Sequence, residues 1–282
     1  MFEKVLVGVD GRSGGRDAIA LAGRLLGDRG RLTLAHVRSG QLHPLHAVTP
    51  GLMAEENETS ERLLEAEREA AEVQADLISV VASSPGAGLH QQAEEQGADV
   101  LVVGSCSRGL VGRAMLGDDT RAALNGAPCA VAIAARGYAE HPFPLAKIGV
   151  AYNGSPESAT ALTAARELAA PNRSEVEALE VVSIPTYAFT GLVPPAFGET
   201  VDVMLKEANE RMGELEGVRG RAVYGLAGEE LAQFGDDVSM LVVGSRSYGP
   251  IRRLVLGSTS DYLERHARCS LLVLPRMAAS DS

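Results

Sequence analysis

Residues 101–117 read LVVGSCSRGLVGRAMLG, and residues 241–257 read LVVGSRSYGPIRRLVLG. The offset is 140, and ten of the seventeen positions are identical. Cys129 and Cys269 keep that offset. The match extends to the start of each half: KVLVGVDG at 4–11 aligns with KIGVAYNG at 147–154, now at offset 143. Two matches in the same order make the chain one unit written twice. We divide it at 1–137 and 145–277, with the proline-bearing stretch GYAEHPFPLA as the connection.

Working outward from the repeat, each half alternates short apolar runs with helical spacing. In the first half, 4–9 reads as a buried strand, 15–27 as a helix and 31–37 as a second strand. Residues 38–53 read as a loop and 56–74 as an acid-rich amphipathic helix. Then follow strand 77–82, helix 86–97, strand 99–104, a glycine loop, helix 117–126 and strand 129–134. The second half repeats the order, with strands near 147–152, 176–182, 219–224, 239–244 and 270–275. Apolar strands separated by helices imply a parallel sheet covered on both faces. Ligands of such sheets bind beyond the carboxyl ends of the strands, where strand order reverses. The ends of the first and fourth strands are therefore where chemistry is expected.

The composition narrows the function classes. The chain has 282 residues, 45% hydrophobic and 22% charged, which is ordinary for a globular protein. Acids outnumber bases 37 to 26, for a net charge of −11. That argues against broad binding to nucleic acid or to anionic membrane surfaces, both of which recruit Lys and Arg. Three cysteines without metal spacing point to a reducing compartment, the cytoplasm. The opening MFEKVLVGVDGRSGG does not read as a secretory signal, and no run approaches the ~18 apolar residues of a membrane span.

The fourth-strand loops carry the strongest chemical signal. They hold Gly104, Ser107, Gly109, Gly117 and Asp118 in one half, and Gly244, Ser247, Gly249, Gly257 and Ser258 in the other. Glycines let backbone N–H groups converge on an anion, and the following helix adds the positive end of its dipole. A packing turn ahead of a capped helix fits the same residues.

These residues resemble the universal stress protein family. Its ATP-binding signature is Gly, two residues, Gly, nine residues, Gly, then Ser or Thr. Gly244, Gly257 and Ser258 fall on it with that spacing. Ser107 and Ser247 replace the second Gly. If a positive φ is needed there, a non-Gly residue costs roughly 1–2 kcal/mol. Asp118 replaces the final hydroxyl residue in the first half. A carboxylate about 4 Å from a phosphate is opposed by roughly 4 kcal/mol at an effective dielectric constant near 20. Asp118 is also a good helix cap. The resemblance places Asp10 and Asn153, at the ends of the first strands, in the nucleotide pockets. It places main-chain contacts to adenine at Val37 and Val181, which as residues alone read first as plain core valines.

The resemblance implies two tandem Rossmann-like α/β domains, each a five-stranded parallel sheet with helices on both faces. It implies pairing of the two domains through 129–134 and 270–275, with a further homodimer left open. The function implied is a stress-response regulator that binds ATP, with or without Mg2+, in the second domain, where Ser258 is retained. No catalytic residue or resident metal is expected. The alternative is a member that binds no nucleotide and acts through protein partners, using the long apolar loop 184–200.

Other features were weighed against these. SGGRD at 13–17 is similar to the phosphate loop of ATP pyrophosphatases, but three residues separate it from the first strand. Cys106 lies within the glycine loop near an arginine. Arg252 and Arg253 flank the second glycine loop, where they could face phosphates. His43 and His46 are read as solvated loop residues.

Overall fold

The computed structural model describes residues 1–39, 50–105, 118–183, 197–245, 253–254 and 257–275. It divides into two compact units, Met1–Phe143 with Ser247–Val255, and Pro144–Arg246 with Leu256–Ser282.

The first unit runs β1 (Phe2–Gly8), α1 (Ser13–Leu25), β2 (Leu26–Ser39), α2 (Pro50–Ala70) and β3 (Asp76–Ala82). It continues with α3 (Pro85–Gln96), β4 (Val100–Gly104), α4 (Asp118–Leu124) and β5 (Ala130–Ala134). All four strand pairings are parallel, in the order β3-β2-β1-β4-β5. β4 and β5 are apolar throughout and buried except at Gly104, as covering on both faces requires.

The second unit runs β6 (Lys147–Ala151), α5 (Pro156–Asn172), β7 (Glu175–Val182), α6 (Phe197–Gly213) and β8 (Arg219–Tyr224). It continues with α7 (Ala227–Phe234), β9 (Met240–Gly244), α8 (Ser258–His266) and β10 (Ser270–Leu274). Its order is β8-β7-β6-β9-β10, again all parallel. The α/β fold with a five-stranded parallel sheet in each half is as expected from sequence.

Three boundaries differ from the sequence reading for local reasons. α1 ends at Leu25 and β2 begins at once, because Leu26 already pairs with Phe2. The register then shifts, so that Lys4 pairs with Arg31 and residues 27–30 form an irregularity. α2 begins at Pro50, six residues earlier than read, since proline suits the first turn of a helix. It stops at Ala70, where Glu72 turns to φ 52°.

In both units the strand order reverses between the first and fourth strands, β1 with β4 and β6 with β9. That is the switch point at which open α/β sheets bind ligands.

Candidate functional site

The turn after the first strand is built identically twice. Gly11 and Gly154 take φ of +75° and +77°, which only glycine adopts without strain. Asp10 Oδ1 accepts the Arg12 N–H at 3.0 Å, and Asn153 Oδ1 accepts the Ser155 N–H at 3.1 Å. Just before the turn, the Val9 N–H donates to the Ala35 carbonyl, and the Tyr152 N–H to the Leu179 carbonyl. Asp10 and Asn153 thus share one turn-forming role, for which either side chain serves.

The helices that follow begin differently. α5 is capped: Ser155 Oγ accepts the Ser158 N–H at 3.2 Å and Pro156 needs no partner. The Ser158 hydroxyl donates to the Ser155 carbonyl and accepts the Asn153 N–H. α1 has Arg12 at the cap position, with no side-chain cap bond. Among the described residues, the Ser13 and Gly14 amides have no hydrogen-bond acceptor.

That uncapped helix start opens onto a cavity of about 280 Å3 at the switch point of the first unit. One side is polar: Asp10, Arg12, Ser13 and Gly14 from the turn and α1, with Gly104 and Ser105 from the end of β4. The other is largely apolar: Val9, Ala35, Val37, Val103, Pro85 and Leu89. Asp17, His36, Thr120 and Arg136 also line it, with Gly8 and Gly15. Thr120 Oγ1 donates to the Gly104 carbonyl at 3.1 Å, tying α4 to the β4 end.

Val37 lies at the cavity, near the end of β2. The Ala35 carbonyl faces β1, because it accepts from Val9. Alternation along a strand turns the Val37 N–H and C=O the same way, past the end of β1 at Gly8. These groups have no partner among the described residues. His36 beside it lies 2.8 Å from the Val9 carbonyl through Nδ1. A carbonyl only accepts, so Nδ1 carries the proton and Nε2 is left for another contact. Sequence reasoning missed His36 and Arg136; their only sequence signal was position at a strand's carboxyl end.

The strand-end glycines have a packing role. A Cβ on Gly104 would lie 2.1 Å from the Gly14 carbonyl oxygen, and one on Gly244 would lie 2.7 Å from that of Glu157. Both glycines let the helix after the first strand press against the fourth strand. Gly257 differs: its φ is −81° and a Cβ there meets nothing within 4 Å. It precedes the exposed Ser258, the first residue of α8. Gly117, Ser247 and Gly249 lie outside the described residues, as do Ser107, Gly109, Cys106, Arg252, His43, His46 and 184–196. α4 begins at Asp118.

In the second unit, Glu180 stands where the strand register puts His36 in the first: Ala151 pairs with Leu179 as Gly8 pairs with Ala35. Val181 follows it, in the place of Val37. Glu180 is buried, and Oε1 accepts from Arg211 Nη2 of α6 at 2.7 Å, while Oε2 has no partner. Here an ion pair takes the place of an imidazole.

Three further sequence readings are resolved. Ser13 opens α1, and Asp17 of SGGRD is 2% exposed, its two oxygens taken by the Gly137 and Ala139 amides. Arg253 is one of the two arginines read as flanking the second glycine loop. It belongs to the first unit, ion-pairs with Glu94 and donates to the Gly126 carbonyl. Burial pushes the Cys129 and Cys269 thiols up to about 12, so both are unreactive core residues at neutral pH.

With the geometry in place, the comparisons carry weight. A model described as the universal stress protein family matches residues 1–135 and again 145–275. The chain belongs to the universal stress protein family. The universal stress protein YxiE of Bacillus subtilis is 30% identical over 145 residues, 45% of this chain and 97% of that protein. The universal stress protein Mb2346c of Mycobacterium bovis is 27% identical over 208 residues, 68% of this chain and 69% of that one. A universal stress protein structure from Archaeoglobus fulgidus superposes with a TM-score of 0.67 at 16% identity. The match covers 98% of this chain and 99% of that chain. At that identity the likeness establishes the fold alone. Among the described residues, no helix is long and apolar enough to cross a membrane.

Proposed function

We propose that the first unit binds an adenine nucleotide, and that the protein is a cytoplasmic ligand sensor of the stress response rather than an enzyme. The supporting observation is the cavity at the switch point with an uncapped helix start on its polar side. The unengaged Ser13 and Gly14 amides and the helix dipole suit phosphate. The apolar side and the outward-facing Val37 backbone suit a purine, whose edge needs one donor and one acceptor. A volume of about 280 Å3 is just under the ~300–1,000 Å3 of small-molecule sites, and the exposed polar rim lets phosphates extend outward.

Sequence reasoning favoured the second domain, on the strength of Ser258. The structure shifts our preference. In the second unit the helix start is satisfied by Ser155 and Ser158, and Glu180 sets a carboxylate at the position of His36.

The test is thermal unfolding with saturating Mg-ATP. Ligand at 100 times its Kd adds about 2.7 kcal/mol of stability, which raises Tm. Ser13→Asp should keep the fold, since an acid suits a helix N-terminus, and should abolish the rise by repelling phosphate. An unmoved wild-type Tm overturns the reading. A rise that survives Ser13→Asp but is lost in Ser258→Asp moves the site to the second unit.

One observation favours a second reading, action through a protein partner. Val203 and Met204 of α6 are 56% and 41% exposed, close in sequence to the apolar 184–200 stretch.

A further inference from the structure

Two guanidiniums and two carboxylates line the cavity of the first unit: Arg12 and Arg136, Asp10 and Asp17. Arg12 lies 3.9 Å from the Asp10 carboxylate, whose Oδ1 also accepts the Arg12 amide. The positive charge of Arg12 is largely answered locally. Arg136 lines the same cavity, two residues past β5. Among the described residues, no carboxylate lies within ion-pair distance of it.

The backbone around Arg136 is held firmly while its side chain is left exposed. Buried Asp17 accepts the Gly137 N–H at 3.0 Å through Oδ2 and the Ala139 N–H at 2.8 Å through Oδ1. Gly137 turns with φ +76°. Tyr138 is fully buried, donates its hydroxyl to the Phe143 carbonyl and sets its ring against Phe143 at 4.9 Å. Asp17 belongs to α1. It therefore fixes the base of Arg136 relative to the helix whose free amides face the cavity. With both carboxylate oxygens on amides, Asp17 does not draw the guanidinium away. The residue recurs in sequence: Arg136 follows Cys129 by seven positions, as Arg276 follows Cys269.

We propose that Arg136 reads the phosphate chain of the ligand, so that the pocket prefers a nucleoside di- or triphosphate to the nucleoside. This rests on the adenine-nucleotide reading above. The α1 amides take one phosphate group, and the planar guanidinium takes the next through paired N–H donors.

Calorimetric titration of wild type, Arg136→Gln and Arg136→Lys with Mg-ATP and with adenosine tests this. Unchanged circular dichroism and Tm check that the exposed substitution leaves the fold intact. Arg136→Gln should weaken ATP 10- to 100-fold, and change adenosine less than twofold. Arg136→Lys should recover part of the ATP loss, because charge returns without the fork. Equal weakening of ATP and adenosine, or no weakening of ATP, overturns the proposal. A wild type that binds neither ATP nor adenosine overturns the adenine reading instead. Inorganic tripolyphosphate then decides the role of Arg136: binding lost in Arg136→Gln sustains it, and absent or unchanged binding overturns it.

Discussion

The two units share a sheet order, a first-strand turn and a glycine pressed against the following helix, yet they part at two side-chain positions. The start of the helix is Arg-Ser-Gly-Gly in one and Ser-Pro-Glu-Ser in the other. The second strand of each unit carries His36 in one and buried Glu180 in the other. The first unit leaves backbone donors and an imidazole around a cavity. The second satisfies its donors internally and neutralises its carboxylate with Arg211. A duplicated fold thus keeps one scaffold while the same strand ends line a cavity in one copy and carry an ion pair in the other.

The largest effect should come from what the copies share. Gly104→Ala drives a Cβ to 2.1 Å from the Gly14 carbonyl oxygen, and a backbone atom cannot rotate away. We expect a loss of about 3 kcal/mol in urea unfolding. Gly244→Ala, at 2.7 Å from Glu157, should cost less, about 2 kcal/mol. If both are tolerated within about 0.5 kcal/mol, the glycines are not packing residues and the shared scaffold is misread. A comparable effect separates the copies. Arg211→Ala leaves the Glu180 carboxylate buried with neither oxygen bonded to its present partner. The expected cost is about 2 kcal/mol. Glu180→His in the same chain should recover most of it, by replacing the unpaired carboxylate with the imidazole found at that position in the first unit.

How much of this was legible beforehand follows from where the signals lie. The parallel α/β fold was readable because the strands are near-continuous apolar runs and the repeat fixes them twice. The switch point was readable because it follows from strand order alone. The preference between units was not. It was drawn from Ser258 and Asp118, residues within the signature, whereas the structural difference lies at Arg12, Ser13 and Ser158. A serine before a helix reads as a cap in either copy. Only the structure shows that Ser155 stands at the cap position while Ser13 is already inside the first turn. His36 and Arg136 were missed because nothing in their neighbourhoods in sequence marks them. Their roles come from strand ends that the sheet brings together.

The cap is also the smallest and most informative place to intervene. Ser155→Ala removes the acceptor for the Ser158 amide and should cost about 1 kcal/mol of stability. The reciprocal change is Arg12→Ser. Arg12 sits at φ −104° and ψ 171°, extended backbone that a capping serine adopts freely. A serine there gains an acceptor for the first-turn amides, so the expected change is a gain of about 0.5–1 kcal/mol. The two shifts should therefore have opposite signs by urea unfolding. The same Arg12→Ser change brings a competitor for the amides we assign to phosphate, so it should stabilise the protein while weakening Mg-ATP. If stability and affinity instead rise together, the α1 amides are not the phosphate contact. The contrast between the units would then rest on His36 and Glu180 alone.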